Sequence, residues 1–240
     1  MRGSFCMVKE KIIEKVEWLL TAVILTLIIY GSYTLSKNMV KEVVLTESTV
    51  VVLDAGHGGS DPGKIGINQV LEKDVNLAIV LKVRALLEKE GVGCVLTREN
   101  DERLDENGKE MSKAADMKER VRIMNDVHPK LVVSVHQNSY TSSEIKGAQV
   151  FYYESSKESE KIAEIIQEEL CKVDTSNTRK IKGNSTYYLL KRTEVPAVIV
   201  ECGFLSNPEE AEKLATEEYQ EKMAEAIVKG IKSYLVIAED

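Results

Sequence analysis

The stretch "VVLDAGHGGSDPGKIG", residues 51–66, decides the fold, because an apolar strand here runs directly into a glycine-rich loop that carries a histidine. The apolar run ends at Asp54, and three glycines then surround His57. Glycine permits unusual backbone angles and lets a ligand approach the main chain closely. One of the three histidines of the chain therefore lies where the backbone leaves most room for a ligand.

From residue 49 onward, strand-like and helix-like segments alternate along the chain, which indicates a mostly parallel sheet covered by helices. We expect a single α/β domain, residues 48–236, whose mostly parallel twisted sheet has about six strands flanked by helices. The polar segment 174–185 is expected to be exposed. The predicted strands are 49–56, 92–98, 130–139, 147–155, 186–193 and 196–204. The predicted helices are 72–91, 114–127, 157–173, 208–216 and 218–235.

The segment 18–36 contains no charged residue. A helix of this length, at about 1.5 Å per residue, nearly spans a hydrocarbon core of about 30 Å. We predict a cytoplasmic segment 1–17, an uncleaved transmembrane signal anchor 18–36, a tether 37–47 and a catalytic domain outside the cytoplasm. Lysines before the apolar run favour this orientation, although neighbouring acids weaken the bias. The alternative is a signal peptide that is cleaved, which would give a secreted protein.

Charge and cysteine content exclude two classes of function. The net charge of −7 argues against a nucleic-acid partner, which favours a basic surface. The four cysteines include no CxxC pair, so a zinc site built from cysteines is not expected.

Two histidines follow predicted strands, at the edge where open α/β sheets bind ligands. His57 follows the first strand, and His136 ends the apolar run "LVVSV". Imidazole is the commonest metal ligand, and two histidines supply two-thirds of a His₂-carboxylate zinc site. Glu72, which opens the next helix, is the candidate third ligand. The alternative for Glu72 is an acid that the helix dipole favours at this position.

A further acid, Glu201, ends the apolar strand "AVIVE". Burial would raise its pKa toward the range of a general base. The alternative is a structural salt bridge to Arg98 or Arg120. His128 is expected to be a plain surface residue, and the charged loop 99–113 is expected to be solvated, with a possible place at the border of the site.

With these residues in hand, the chain resembles the zinc-dependent N-acetylmuramoyl-L-alanine amidases of the amidase-3 type over residues 49–235. The segments "VVLDAGHGGSDPG", "LEKDVNLAIVLKV", "VLTREND", "KERVRIMN", "LVVSVHQNS" and "VIVECGFLSNPEEAEKL" occur in the order of that family. The resemblance implies that His57, Glu72 and His136 bind Zn²⁺ and that Glu201 is the catalytic glutamate. It also implies hydrolysis of the amide between N-acetylmuramic acid and L-alanine in peptidoglycan.

Other positions leave alternatives open. Asp54 is expected either to orient His57 or to be an acid of the strand-end turn. Asn138 is expected to bind the stem peptide or to position its loop. Arg98 is expected to bind a substrate carboxylate or to form a structural ion pair. Gln137 stands where the family usually has alanine, and we expect it to tune the rim of the site.

Within the family, the short anchor, the single domain without wall-binding repeats and segments such as "LEKDVNL" and "KGAQVFYY" resemble the germination-specific spore-cortex branch. This implies a first step toward muramic-δ-lactam in the forespore intermembrane space, with a polysaccharide deacetylase as functional partner. The alternatives are a vegetative cell-wall autolysin, a carboxypeptidase of the stem peptide and a non-catalytic peptidoglycan-binding module.

Some amidases of this family carry an inhibitory helix after the strand with the second histidine. The linking segment "QNSYTSSEIKG", residues 137–147, is too short for such a helix. We therefore expect an open site, whose control lies in expression, location, zinc loading or an activating protein partner.

Overall fold

The computed structural model describes residues 18, 20, 24–26, 30, 50–103 and 112–238. The chain forms two compact units, Met1–Glu47 and Ser48–Asp240. The described residues of the first unit are helical and exposed. Within the described part of the chain, no helix is long and apolar enough to cross a membrane. The predicted segment 1–17, the predicted tether and most of the predicted anchor lie outside the described residues, so they stay predictions.

The second unit is an α/β domain with a six-stranded mixed sheet in the order β2-β1-β3-β6-β4-β5. Four strands, β2, β1, β3 and β6, are parallel, β4 is antiparallel to β6, and β5 is parallel to β4. The predicted single domain with about six strands is confirmed. The strands are β1 Val50–Ala55, β2 Gly93–Leu96, β3 Leu131–Asn138, β4 Gln149–Tyr153, β5 Lys182–Asn184 and β6 Ala197–Phe204. The helices are α1 Glu72–Lys89, α2 Lys113–Val127, α3 Lys157–Val173, α4 Tyr188–Arg192, α5 Pro208–Leu214 and α6 Glu217–Ala238.

The central strands are buried on both faces, which explains their continuous apolar runs. On one face, Val52, Val132 and Ile199 pack against Met124 of α2 and Leu189 of α4. Helix α6 packs against α1 and α3, of which α1 contacts β1, β2 and β3 and α3 contacts β4 and β6. This packing holds the carboxyl ends of β1, β3 and β6 in fixed positions, and the site lies there.

One predicted strand was wrong. The segment 186–193 is strand-like in sequence, but it contains the short helix α4. The Asn184 side chain accepts hydrogen bonds from the amides of Thr186 and Tyr187, at 2.7 and 2.8 Å, and these bonds turn the chain before the helix begins. The missing strand, β5, lies inside the polar segment 174–185, because an edge strand that pairs only with β4 has no need of an apolar pattern.

The sheet register brings the candidate residues to one edge. Residue His136 of β3 lies directly beside Glu201 of β6, and a register shift follows between His136 and Asn138. Residues 139–148, which join β3 to β4, contain no helix. The expectation that this connection carries no inhibitory helix is therefore confirmed.

Candidate metal centre

Three side chains converge on one point at this edge. The Nε2 atom of His57 lies 3.2 Å from Glu72 Oε1, and the Nδ1 atom of His136 lies 2.9 Å from the same oxygen. Potential ligand atoms of the three residues all lie within 4.8 Å of one another. Donors held tetrahedrally at about 2.0–2.1 Å from zinc would lie about 3.3 Å apart. Two imidazoles and a carboxylate in this arrangement fit a single divalent cation.

The carboxylate of Glu72 is fixed by hydrogen bonds at both oxygens. Its Oε2 accepts the Lys64 amide at 2.7 Å, and its Oε1 accepts the Gln137 amide at 3.2 Å. Burial alone would raise the pKa of Glu72, but its contacts with His136 and His57 hold that pKa far below the ordinary value. Burial alone would lower the pKa of His136, but the contact with Glu72 outweighs burial and raises the pKa of His136. Glu72 is therefore ionised, as a metal ligand must be.

Two glycines make the space for these ligands, which explains the composition of the loop. A Cβ atom on Gly56 would lie 2.2 Å from the His136 ring. Gly63 has a φ of +68°, and a Cβ atom there would lie 2.5 Å from Glu72 Oε2. Any larger residue at either position would displace a ligand side chain.

The Nδ1 atom of His57, the ring nitrogen that does not contact Glu72, contacts Asp61. Asp61 is not among the residues predicted from the sequence. The Nδ1 atom of His57 lies 3.0 Å from Asp61 Oδ2, and the Lys113 ammonium lies 2.6 Å from Asp61 Oδ1. Burial would raise the pKa of Asp61, but Lys113 and His57 lower it to about 2. A carboxylate on the second ring nitrogen fixes the tautomer and orientation of a ligating histidine. The signal available in the sequence was an acid four residues after His57 in the same loop.

Of the two alternatives for Asp54, the structure does not show the contact with the His57 ring. Its carboxylate is buried and contacts Arg120 Nη1 at 2.7 Å, Thr97 Oγ1 at 2.6 Å and the Ser134 hydroxyl. Burial would raise its pKa, but Arg120 and the two hydroxyls lower the pKa of Asp54 to about 2. Arg120 also donates from Nη2 to the His57 carbonyl at 2.5 Å. Asp54 thus supports the backbone of His57 through Arg120 and does not contact the ring.

The guanidinium of Arg98 donates hydrogen bonds to backbone carbonyl groups. It is buried, and its nitrogens donate to the carbonyls of Ala55, Gly56 and Lys73 at 2.8, 3.2 and 2.8 Å. These carbonyl contacts stand in place of the structural ion pair that was the second alternative. Arg98 therefore supports the backbone of the loop that carries His57. A contact with a substrate carboxylate stays a prediction that this geometry does not favour.

Two neighbours on β3 differ in exposure. Asn138 lines the open site, and its Oδ1 accepts the Ser139 amide at 2.8 Å, which positions its own loop. Its contact with the stem peptide stays a prediction. Gln137 also lines the cavity, but it is only 3% exposed and donates to Asn76 Oδ1 at 3.1 Å, so its effect on the rim stays a prediction.

Glu201 lies beside the metal-ligand cluster in a contrasting environment. Its Oε2 is buried and has no hydrogen-bond partner among the described residues. Both arginines of the salt-bridge alternative, Arg98 and Arg120, are bonded to other groups. Burial, reinforced by the nearby charge of Glu72, raises the pKa of Glu201 to about 7. A carboxyl group with this pKa can accept and return a proton near neutral pH.

The site opens into a polar cavity of about 400 Å³. Its lining includes Asn138 and the four candidate site residues His57, Glu72, His136 and Glu201. The charged loop borders it, since Lys113 lines the cavity and Asp101 accepts the Gly59 amide at 2.9 Å. Residues 104–111 of that loop lie outside the described residues. His128 is exposed and ends α2 with a φ of 48°, as expected of a surface residue.

Comparisons with known proteins agree with this geometry. A family model described as N-acetylmuramoyl-L-alanine amidase matches residues 51–233. The chain is 40% identical to the germination-specific N-acetylmuramoyl-L-alanine amidase of Bacillus subtilis (strain 168) over 188 residues, which cover 77% of this chain and 79% of that protein. It is 34% identical over 200 residues to N-acetylmuramoyl-L-alanine amidase LytC of the same organism, covering 82% of this chain and 37% of LytC.

A solved structure is also similar. The CwlD amidase from Clostridioides difficile, in complex with the GerS lipoprotein, matches with a TM-score of 0.74 and 42% identity, covering 79% of this chain and 100% of that chain. Fold, site and sequence therefore agree, and the chain belongs to the N-acetylmuramoyl-L-alanine amidase family as an amidase of peptidoglycan.

Proposed function

We propose that the amidase is zinc-dependent, with His57, Glu72 and His136 as the protein ligands and Glu201 as the catalytic acid and base. The observation that carries the proposal is the cluster of ligand atoms within 4.8 Å, with Glu201 next to His136 in the sheet register. A His₂-carboxylate set with an open side is the donor set of catalytic zinc sites.

When bound, zinc lowers the pKa of a water molecule from 15.7 toward about 7 and polarises the scissile carbonyl. Glu201 takes a proton from the attacking water at Oε2, the oxygen that has no other partner among the described residues. It then returns the proton to the amine nitrogen of L-alanine as the C–N bond breaks. The products are the lactyl carboxylic acid of the sugar and a peptide with a free N-terminus.

We propose that the substrate is spore-cortex peptidoglycan and that the reaction precedes muramic-δ-lactam formation by a polysaccharide deacetylase. The similarity to a germination-specific amidase supports this assignment over a vegetative autolysin. Action on peptidoglycan supports a catalytic domain outside the cytoplasm, held by the predicted anchor 18–36 or secreted after cleavage. The similar amidase bound to a lipoprotein supports an activating lipoprotein partner.

Zinc binding is tested by metal analysis of the full chain after dialysis against zinc. We expect one zinc per chain in the wild type and almost none in His57→Ala or His136→Ala. His128→Ala is the matched control, because His128 is exposed and lies outside the site. Equal zinc content in all three variants would contradict the assignment.

The substrate is tested by digesting cortex and vegetative peptidoglycan and analysing the products. A cortex amidase releases peptides with N-terminal L-alanine, and does so faster from cortex. Faster release from vegetative walls would favour the autolysin. Release of D-alanine would indicate a carboxypeptidase, and no release by zinc-loaded protein would favour a binding module.

A further inference from the structure

A second cavity, of about 200 Å³, opens beside Glu201 and differs in chemistry from the polar one. It lies between α2, α4 and β6. Its walls are apolar or aromatic apart from two residues at one end, His136 and Glu201. The other lining residues are Met117, Tyr187, Tyr188, Leu189 and Ile199.

The polar cavity and this second cavity have His136 and Glu201 in common. The scissile amide has to reach Glu201, so the two halves of the substrate extend from that point in different directions. One half carries the sugar, and the other half carries the stem peptide. The two cavities provide one place for each.

Charge decides which half occupies which cavity. The stem peptide carries free carboxylates, and the polar cavity offers Lys64, Lys113 and Asn138. Two acids of that cavity are already paired, Asp61 with Lys113 and Glu72 with the two histidines. Among the described residues, no lysine or arginine lines the apolar cavity. A pyranose ring is uncharged and presents a face of C–H groups, which suits an aromatic wall.

Tyr187 and Tyr188 form the aromatic wall of this cavity. The Tyr187 ring packs on Phe151 at a centroid distance of 5.6 Å, and the Arg192 guanidinium lies 5.9 Å from the Tyr188 ring. Tyr187 and Tyr188 nevertheless stay 38% and 42% exposed. Side chains held on one side and exposed on the other can bind a ligand without large ordering costs.

We infer that the cavity bounded by Tyr187 and Tyr188 is a saccharide subsite, which binds an amino-sugar ring of the glycan while the peptide lies over Lys64 and Lys113. The inference rests on the proposed amidase function, since it assigns the two halves of that substrate. The subsite makes the enzyme prefer a peptide on a sugar over the same peptide on a free lactyl group.

The test measures binding of the peptide-free disaccharide N-acetylglucosaminyl-N-acetylmuramic acid to the full chain by calorimetry. We expect Tyr188→Ala to weaken binding about tenfold, the effect of one aromatic contact. Tyr188→Phe keeps the ring and is expected to bind as the wild type does. Tyr140→Ala is the control, because Tyr140 is an exposed tyrosine that lines neither cavity.

A second readout compares hydrolysis of a muramoyl-peptide with hydrolysis of the matching lactyl-peptide. Tyr188→Ala is expected to lower kcat/KM for the first about tenfold and to leave the second unchanged. Equal losses on both substrates, or unchanged disaccharide binding, would overturn the subsite. The disaccharide holds no scissile amide, so its binding tests the subsite even if the chain hydrolyses nothing, an outcome that would reject the proposed function instead.

Discussion

Two glutamates at the same sheet edge have opposite environments. Glu72 accepts the backbone amides of Lys64 and Gln137 and contacts both histidines, which keep its pKa far below the ordinary value. Glu201 has an oxygen without any partner in the described structure, and burial raises its pKa to about 7. The same side chain is thus an anion in one place and, in the other, a group that can exchange a proton near neutral pH.

The difference teaches that hydrogen-bond supply, and not burial, separates a ligand from a base in this site. Both carboxyl groups are withdrawn from water, and burial raises the pKa of each. Only Glu72 receives enough donors to reverse that effect. This contrast can be tested with variants that change either carboxylate or the acids near His57.

The largest effect is expected for Glu72→Gln, which removes the charge that both histidines contact. Loss of a direct ligand should reduce zinc affinity by more than the roughly 10–100-fold known for outer partners. Breaking this buried cluster should also lower the free energy of unfolding of the metal-free chain by about 3 kcal/mol.

Zinc titration and urea unfolding measure these two effects. Glu209→Gln is the control, because Glu209 is exposed and pairs with surface lysines. A Glu72→Gln variant that binds zinc like the wild type would remove Glu72 from the ligand set.

The next effect concerns Asp54, the carboxylate buried beneath His57. Its pKa is about 2 in the folded chain, below the ordinary aspartate value of about 4, so ionised Asp54 stabilises the fold above pH 4. This contribution, about 2 kcal/mol, is lost as the pH falls from about 4 toward about 2. Asp54→Asn should therefore be less stable at pH 7, and its deficit should shrink over that window. A deficit that does not vary with pH would contradict the assigned pKa.

A somewhat smaller effect is expected for Asp61→Asn, which keeps the shape of the side chain and removes its charge. The variant should bind zinc about 10–100-fold more weakly, because Asp61 orients the His57 ring. Competition with a chelator measures this change. Asp101→Asn, at a neighbouring acid that contacts Gly59 and Lys73 and does not contact His57, is the matched control. Equal affinity in Asp61→Asn would leave His57 oriented by its backbone alone.

The smallest effect should have the opposite sign. Glu201→Gln replaces a carboxyl group whose buried Oε2 has no hydrogen-bond partner among the described residues, so the metal-free chain should gain about 1 kcal/mol of stability. Thermal unfolding without zinc at pH 8, where the carboxyl group is mostly ionised, measures the gain. A clear loss of stability would indicate that Glu201 has a structural partner.

Much of this arrangement could be predicted from the sequence. Apolar strands that end in His57, His136 and Glu201 indicate a common sheet edge, because parallel strands bring their carboxyl ends together. Glu72 opens the next helix at the same edge, but its choice as the third candidate ligand rested on the family resemblance, because the helix dipole explains an acid there equally well.

The rest depended on contacts between distant segments. The sequence left open whether Asp54 orients His57 or is an acid of the strand-end turn, and its partner Arg120 is 66 positions away. The burial of Gln137 depends on Asn76 of α1, which accepts a hydrogen bond from its side chain and is 61 positions away. Helix α4 was missed because the turn at Asn184 overrides the strand preference of the aromatic residues that follow.

The central claim is that Glu201 carries the proton while the histidine cluster holds zinc. The most direct test measures release of N-terminal L-alanine from peptidoglycan by the full chain and by Glu201→Gln, with the zinc content of both samples determined. The account predicts equal zinc in the two proteins and a rate roughly 10²–10⁴-fold lower in the variant. Undiminished release by zinc-loaded Glu201→Gln would contradict it.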